Sequence, residues 1–114
     1  MRPEARKCLY DLLQAGENIL RFTEGKDRAA YSADDVLRSA VERQFEILGE
    51  ALNRLTRFDS DLAQQIPEHE RVIAFRNVLA HGYDAVDDTV VWDIVRHWLP
   101  RLLGQTRLLL EQAQ

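Results

Sequence analysis

Residues 76–83 bring together three side chains that can act on a phosphodiester: Arg76, His81 and Tyr83. The guanidinium of an arginine is a planar fork of donors that matches the oxygens of a phosphate. An imidazole is the side chain best suited to moving a proton near neutral pH. Together they could cleave RNA: a base takes the 2′-hydroxyl proton, the oxygen attacks the adjacent phosphate, and a cation offsets the developing charge.

The same three residues also fit a purely structural interpretation. Arg76 would then pair with a carboxylate, His81 would bind free carbonyls at a helix end, and Tyr83 would only pack. Separate, closed-off surroundings for Arg76 and His81 would argue against a nuclease. Both interpretations stay open at the level of sequence.

The chemistry-bearing residues lie at the end of a predicted helix. Residues 68–80 have helical apolar spacing, with a core-facing arc formed by Val72, Phe75, Val78 and Leu79. Asn77 and His81 are one turn apart on a more polar face. Gly82 is expected to end the helix in the left-handed conformation that glycine adopts without steric cost. Tyr83 would then lie in an accessible loop.

The rest of the chain predicts a helical scaffold. Apolar stripes predict helices over residues 3–23, over about 33–57, and from residue 87 or 88 towards the C-terminus. Pro100 is expected to kink the last helix, because proline removes a backbone hydrogen bond. The predicted fold is all-α, an up-and-down bundle of about four main helices.

Polar residues mark the expected helix starts. Caps are predicted at Ser32 with Asp35, at Asp59 before a short helical turn, and at Asp87 or Asp88. Pro67 is expected to open the motif helix.

The second predicted helix has two notable faces. Its apolar stripe covers nearly half of the helix, more than one neighbour requires, so we expect a second subunit against it. The other edge carries Arg43, Glu46, Glu50 and Arg54. Like charges one turn apart at Glu46 and Glu50 favour a nearby cation, and Arg76 or Arg43 would supply it. The alternative is a solvated charged face.

Composition bounds the class of protein. The chain of 114 residues is expected to form one domain, residues 1–114. Its single cysteine, Cys8, excludes an intrachain disulfide and favours a cytoplasmic location. The N-terminus lacks the apolar segment of a signal peptide, and no apolar run is long enough to span a membrane.

Two further features concern ligands. The net charge of −4 is unusual for a nucleic-acid binder, so we expect weak, salt-sensitive affinity for RNA. The His, Cys, Asp and Glu residues show no metal-ligand spacing, and no glycine-rich phosphate loop is present. The sequence therefore predicts no cofactor.

Several segments in the same order resemble the HepT toxin family of HEPN-domain ribonucleases. Arg-x4-His-x-Tyr at residues 76–83 resembles that family's "RN-x-L-x-H-x-Y" block. Residues 47–51 resemble its "IGEA" segment, and residues 86–100 resemble the segment that follows the motif. The resemblance runs from about Ser32 to the C-terminus. One departure is that Pro67 is not followed by the tryptophan that family members usually carry.

The resemblance implies a metal-independent endoribonuclease toxin with Arg76 and His81 as catalytic residues. Asn77 and Tyr83 would bind or orient the substrate. The charge pattern of the second predicted helix, not the resemblance, adds Arg43, Glu46 and Glu50 as supporting residues. The resemblance also implies a homodimer and a nucleotidyltransferase antitoxin of the MNT type, which attaches AMP to the tyrosine matching Tyr83. The alternative is a HEPN module that pairs with a nucleotidyltransferase and holds polynucleotide without cutting it.

Overall fold

The computed structural model describes residues 1–82 and 86–113. Throughout these ranges the regular structure is helical and no strand is present, which confirms the predicted all-α class. The elements in order are α1 Pro3–Thr23, α2 Arg28–Ala33, α3 Asp35–Phe58, α4 Ser60–Ala63, α5 His69–His81, α6 Asp88–Asp93, a π-helical turn Ile94–Trp98, and α7 Leu99–Gln112. The main helical stretches expected from sequence are present, and the short α2 and α4 accompany them.

The core lies mainly between α1 and α3, which form the most extensive helix pair. Each helix turns a continuous apolar stripe towards the other, and α7 also packs against α1, with Leu99 and Leu103 beside Gly16. The fully buried large side chains in these three helices are Leu9, Leu12, Ile19, Phe45, Leu48, Leu52, Leu55, Leu99, Leu102 and Leu103. Cys8 is buried among them, as expected for a packing residue.

The wide apolar stripe of α3 is covered within the chain itself. Helices α1, α4 and α5 all pack against α3, and they bury most of its apolar positions. Val36, which the stripe includes, is instead 76% exposed near the start of the helix. The width of the stripe thus reflects several neighbours in one chain, and the dimer stays a prediction that this stripe no longer supports.

The start of α3 differs from the prediction. Asp34 is the N-cap, and its carboxylate accepts a hydrogen bond from the backbone N–H of Leu37 at 3.0 Å. The capping box predicted at Ser32 with Asp35 is wrong, because residues 28–33 form the separate helix α2. Helix α2 buries Tyr31 against the ring of Trp92, with ring centroids 5.4 Å apart.

The other predicted caps are confirmed. Asp59 accepts a hydrogen bond from the backbone N–H of Leu62 and starts α4. Asp87 accepts one from Thr89 and starts α6. Both contacts satisfy backbone donors that the first turn of a helix leaves free.

The last helical run is interrupted just before Pro100. The π-helical turn Ile94–Trp98 precedes α7, in which Pro100 occupies the first turn. A proline has no backbone N–H and crowds the preceding turn, so a change of hydrogen-bond register there is its local accommodation. The indole N–H of Trp98 donates to the carbonyl of Pro67 at 3.0 Å. This bond connects the π-helical turn to the segment that precedes α5.

Within the described ranges, none of the helices combines the length and the apolar composition that a bilayer crossing requires.

Candidate active site

Helix α5 carries the predicted motif and buries only a few of its side chains in the core. Val72 and Leu79 are buried, and the ring of Phe75 packs edge-on against that of Phe45 with centroids 5.5 Å apart. Val78 was predicted to face the core but is 40% exposed. That prediction is wrong because the side of α5 carrying Val78 borders an open apolar groove, which also includes Val90 on α6.

The ends of α5 were placed nearly correctly. The helix begins at His69, two residues after Pro67, with Glu68 in the left-handed region at φ 54°. It ends at His81, and Gly82 donates its backbone N–H to the carbonyl of Val78 at 2.7 Å. Gly82 has φ −138°, so the predicted left-handed stop is wrong, although the stop itself lies where expected.

Gly49 lets α5 approach α3 closely at the position of Arg76. A Cβ added at Gly49 would lie 2.4 Å from the Cβ and 2.8 Å from the Cγ of Arg76. Such distances are far inside van der Waals contact, so a residue with a side chain would push the two helices apart. Glycine normally weakens a helix interior by about 1 kcal/mol relative to alanine, so its presence here indicates a packing requirement.

The guanidinium of Arg76 is fixed by two polar contacts. Its Nη2 donates to Oε2 of Glu50 at 2.7 Å, and its Nη1 donates to Oδ1 of Asn77 at 3.0 Å. An arginine has five N–H donors, and these contacts use two of them. The side chain is 28% exposed, so it is oriented by the protein and still open to a ligand.

Arg76 forms part of a polar cleft of about 260 Å³. The residues lining it are Arg43, Glu46, Ile47, Glu50, Arg54 and Arg76. The cations predicted near Glu46 and Glu50 are present. Arg43 pairs with Glu46 at 3.3 Å, and Arg76 pairs with Glu50 at 2.7 Å. These contacts replace the alternative of a merely solvated charged face.

Two members of this ion-pair network were not singled out from sequence. Arg54 pairs with Asp11 of α1 at 3.4 Å and lies 4.0 Å from Glu50. Arg54 was noted as part of the charged edge of α3, whereas no sequence signal connects it to Asp11, which is 43 residues away. The network links α1, α3 and α5 beside the motif.

His81 and Asn77 lie on the outer side of α5. Both are exposed, and His81 occupies the last turn of the helix. Within residues 1–82 and 86–113, the imidazole of His81 makes no hydrogen bond, so the structural role of capping carbonyls is not seen there. Asn77 contacts the guanidinium of Arg76 and is one turn from His81, so it lies between these two residues along the helix.

The remaining predicted site residue, Tyr83, lies outside the described residues. Among the residues that are described, no group of three or more His, Cys, Asp or Glu side chains is arranged to hold a metal ion. The described site is therefore an arginine held by a carboxylate and an amide, with an exposed imidazole five residues further along α5. It can bind an anion and move a proton.

Comparison with known proteins shows the family of the chain. The family model described as ribonuclease HepT-like matches residues 12–109, a longer stretch than the motif resemblance covers. A protein of Thermococcus cleftensis named "Probable ribonuclease HepT" is 31% identical over 105 residues, which are 92% of this chain and 94% of that protein. A protein of Methanocaldococcus jannaschii named "Putative RNase" is 26% identical over 107 residues, 92% of this chain and 95% of that one.

No solved structure matches the chain at a significant level. The family model covers most of the chain, including α3, α5 and the six residues that line the polar cleft. The chain therefore belongs to the HepT-like ribonuclease family, and we class it as an endoribonuclease.

Proposed function

We propose that this protein is a metal-independent endoribonuclease toxin that cleaves RNA with Arg76 and His81. The observation that carries the proposal is the state of Arg76, which is aimed by Glu50 and Asn77 into an open cleft rather than enclosed in the core. An aimed, partly exposed guanidinium is suited to a phosphate whose charge increases in the transition state. The exposed imidazole of His81, five residues further along α5, supplies the proton-moving group.

The reaction follows from these two groups. His81 takes the proton from a 2′-hydroxyl, and the 2′-oxygen attacks the adjacent phosphorus. The bond to the 5′-oxygen breaks, and that oxygen accepts a proton. The products are a 2′,3′-cyclic phosphate and a free 5′-hydroxyl. Arg76 offsets the charge on the phosphate oxygens, and Asn77 keeps Arg76 oriented or contacts the substrate.

One imidazole cannot conveniently serve both proton transfers at opposite sides of the phosphorus. We therefore propose a homodimer in which the two copies of the motif face one RNA linkage, so that one His81 is the base and the other is the acid. Both would need to come within hydrogen-bond reach of the reacting oxygens. The location of the motif on an exposed edge of α5 supports this arrangement.

The toxin would be held inactive by an MNT-type nucleotidyltransferase that attaches AMP to Tyr83. An AMP group on Tyr83 would add bulk and negative charge within two residues of His81 in the sequence. Phosphate of the RNA substrate would be repelled from the same place. The family membership of the chain supports this proposal.

The nuclease is tested by matched substitutions on one helix. Arg76→Ala and His81→Ala should each lower cleavage of single-stranded RNA by at least about 100-fold in the presence of EDTA. Arg71→Ala and His69→Ala change the same residue types on α5 outside the proposed site and should leave cleavage unchanged. Wild-type products should carry 2′,3′-cyclic phosphate ends. Cleavage that persists in both motif variants would end the assignment.

The modification is tested separately by intact mass. Co-expression with a neighbouring nucleotidyltransferase gene should add AMP-sized mass increments to the wild-type protein and none to Tyr83→Phe. An unchanged wild-type mass, with growth arrest relieved all the same, would show that neutralisation uses another route.

A non-catalytic binding module is the second candidate, and one observation favours it. Every arginine lining the polar cleft is paired with a carboxylate, and this pairing weakens the charge that a guanidinium could place on a reacting phosphate. In this case single-stranded RNA would bind to the protein and remain intact, and the assay for cyclic-phosphate ends separates the two functions.

A further inference from the structure

A second cleft lies between the end of α1 and the π-helical turn. Its volume is about 670 Å³, larger than that of the polar cleft. Its lining includes Arg21 and Glu24 from the end of α1 and Val95, Arg96 and His97 from the turn. Three of these, Arg21, Arg96 and His97, carry positive charge or can acquire it, and all three are exposed.

The arginines of this second cleft differ from those near the motif in their partners. Arg43, Arg54 and Arg76 each pair with a carboxylate. In contrast, neither Arg21 nor Arg96 forms an ion pair with any residue in the described part of the chain. The two guanidinium groups of the second cleft can therefore bind an anion without breaking an ion pair of the described residues, in a protein with a net charge of −4.

Both arginines are nevertheless held in place. The guanidinium of Arg21 lies 5.3 Å from the ring centre of Phe22 and donates to Oδ1 of Asn18 at 3.3 Å. That of Arg96 lies 5.7 Å from the ring centre of Trp92. Contacts with aromatic faces restrain a guanidinium while its N–H donors stay available. A restrained cation loses less conformational entropy when it binds a phosphate.

Two carboxylates limit the positive charge of the second cleft. Glu24 is part of its lining, and Asp93 lies one turn before His97. The formal charges of the two arginines and these two carboxylates cancel, so His97 is the remaining group that can add positive charge. The surface is thus suited to moderate, salt-dependent contact with phosphate groups and not to tight binding of a single anion.

The π-helical turn connects the second cleft to the motif helix. Ile94 and Trp98 of the turn line the apolar groove beside α5, whereas Val95, Arg96 and His97 line the second cleft. The turn thus has one side on the groove beside α5 and the other on the second cleft. The one-residue expansion of a π turn spreads successive side chains over both sides, and such turns are frequent at functional sites.

We propose that the second cleft is an exosite that binds RNA phosphates away from the cleaved linkage. This inference rests on the proposed ribonuclease function. It addresses how an acidic protein holds a polyanion when the arginines beside its motif are already paired. Arg21 and Arg96 would be the main contacts, and His97 would add to them when protonated.

The exosite is tested with an RNA that binds but cannot be cut. A fluorescent 20-nucleotide single strand with 2′-O-methyl groups is titrated with wild type, with Arg21→Ala/Arg96→Ala, and with the control Arg57→Ala/Arg107→Ala. The controls remove the same charge from exposed positions elsewhere. We expect the cleft variant to bind about tenfold more weakly, and its salt dependence to fall by about 1.4 in log–log slope, because two phosphate contacts are lost. The control should retain wild-type affinity and slope.

Cleavage assays distinguish this proposal from the nuclease assignment. With a cleavable 20-nucleotide RNA the cleft variant should show a higher KM and unchanged kcat, and with a dinucleotide substrate it should match wild type. Thermal unfolding of both double variants should be similar, which excludes a folding defect. Equal weakening by cleft and control variants, or no weakening by either, would overturn the exosite while leaving His81-dependent cleavage intact. Loss of the nuclease assignment would instead appear as a wild type that leaves the 20-nucleotide RNA uncut, or as cleavage that persists in Arg76→Ala and His81→Ala.

Discussion

The α1–α3 pair and the motif helix α5 are attached to the fold in different ways. Helices α1 and α3 run for 21 and 24 residues and bury continuous apolar stripes against each other. Helix α5 has 13 residues, of which Val72 and Leu79 are buried, and its apolar periodicity is weak. Its position depends more on the contact of Gly49 with Arg76 and on the ion pair of Arg76 with Glu50.

This difference separates stability from function. A helix with one broad apolar face is stabilised mainly by the burial of that face. Few polar side chains can therefore lie on it. A helix that carries an exposed reactive edge cannot bury as much, so a rigid neighbour has to position it. Here α3 serves both purposes, with its apolar stripe towards α1 and the Gly49–Glu50 segment under the motif.

The largest expected effect on stability belongs to the scaffold. Leu52→Ala removes a fully buried side chain of α3 and should lower the free energy of unfolding by about 2–5 kcal/mol. Val78→Ala on α5 changes a half-exposed side chain and should cost within about 0.5 kcal/mol. Urea denaturation of both variants measures the contrast. Similar losses would mean that α5 contributes as much to the core as α3 does.

Gly49→Ala comes next and bears directly on how α5 is placed. The added methyl would collide with the Cβ of Arg76, which is fixed to the backbone, so α5 must move. Overpacking of this kind costs about 1–3 kcal/mol. We also expect RNA cleavage to fall at a temperature where the variant is fully folded, because the guanidinium would leave its position over the polar cleft.

Two other glycines serve as controls for this change. At Gly16 the added methyl would meet the far end of the Leu103 side chain, which can rotate away, so the cost should be smaller. At Gly104 nothing lies within 4 Å, and alanine should stabilise α7 by up to about 1 kcal/mol. Gly16→Ala and Gly104→Ala should both leave cleavage unchanged. A loss of cleavage in all three variants would show that activity simply follows helix packing.

A smaller effect on stability is expected at Glu50, with a distinct effect on activity. Glu50→Gln keeps the shape of the side chain but removes the charge that holds Arg76. Because both partners are about one-third exposed, the change in unfolding free energy should stay below about 1 kcal/mol. Cleavage should fall about tenfold, as expected when a bound group is misplaced.

The matched control is Glu46→Gln, which breaks the more exposed pair with Arg43 in the same cleft. It should change cleavage less than Glu50→Gln does. If the two variants behave alike, the cleft acts through its total charge and not through the aim of Arg76.

Much of the fold could be predicted because long amphipathic helices have a clear apolar periodicity in the sequence. The apolar stripe of α1 gave its limits correctly, and Asp59 and Asp87 marked helix starts through a local hydrogen bond. The cap at Ser32 failed because Asp34 offers a competing carboxylate two residues later and α2 occupies the preceding turn. Short helices such as α2 depend on tertiary contacts, here the burial of Tyr31 on Trp92, which local sequence does not reveal.

The candidate site was predictable to the extent that its residues are local or complementary in charge. Like charges at Glu46 and Glu50 indicated that cations had to be near, and Arg43 and Arg76 are found there. The contact between Arg54 and Asp11 joins two helices far apart in sequence, so no spacing could predict it. The outward direction of Val78 depends on an open groove, which helical periodicity alone treats as core.

The smallest expected effect concerns Glu42, in the first half of α3. Burial, then the charge of Asp88, raises the pKa of the Glu42 carboxyl, with Arg38 opposing and Glu46 adding to the rise. The folded state therefore binds a proton at Glu42 more readily than the unfolded chain does. Between the ordinary pKa of a glutamate and this raised value, stability must fall as pH rises. At neutral pH the charged form of Glu42 thus opposes folding.

Glu42→Gln should consequently raise the melting temperature at pH 7 by a small amount, within about 0.5 kcal/mol in unfolding free energy. The gain should vanish below the ordinary pKa of a glutamate, where the wild-type side chain is protonated in both states. Thermal unfolding of both proteins across this pH range measures the effect. A variant less stable than wild type at pH 7 would mean that the charge of Glu42 is favourable, through Arg38. Cleavage should not change, because Glu42 does not line the polar cleft.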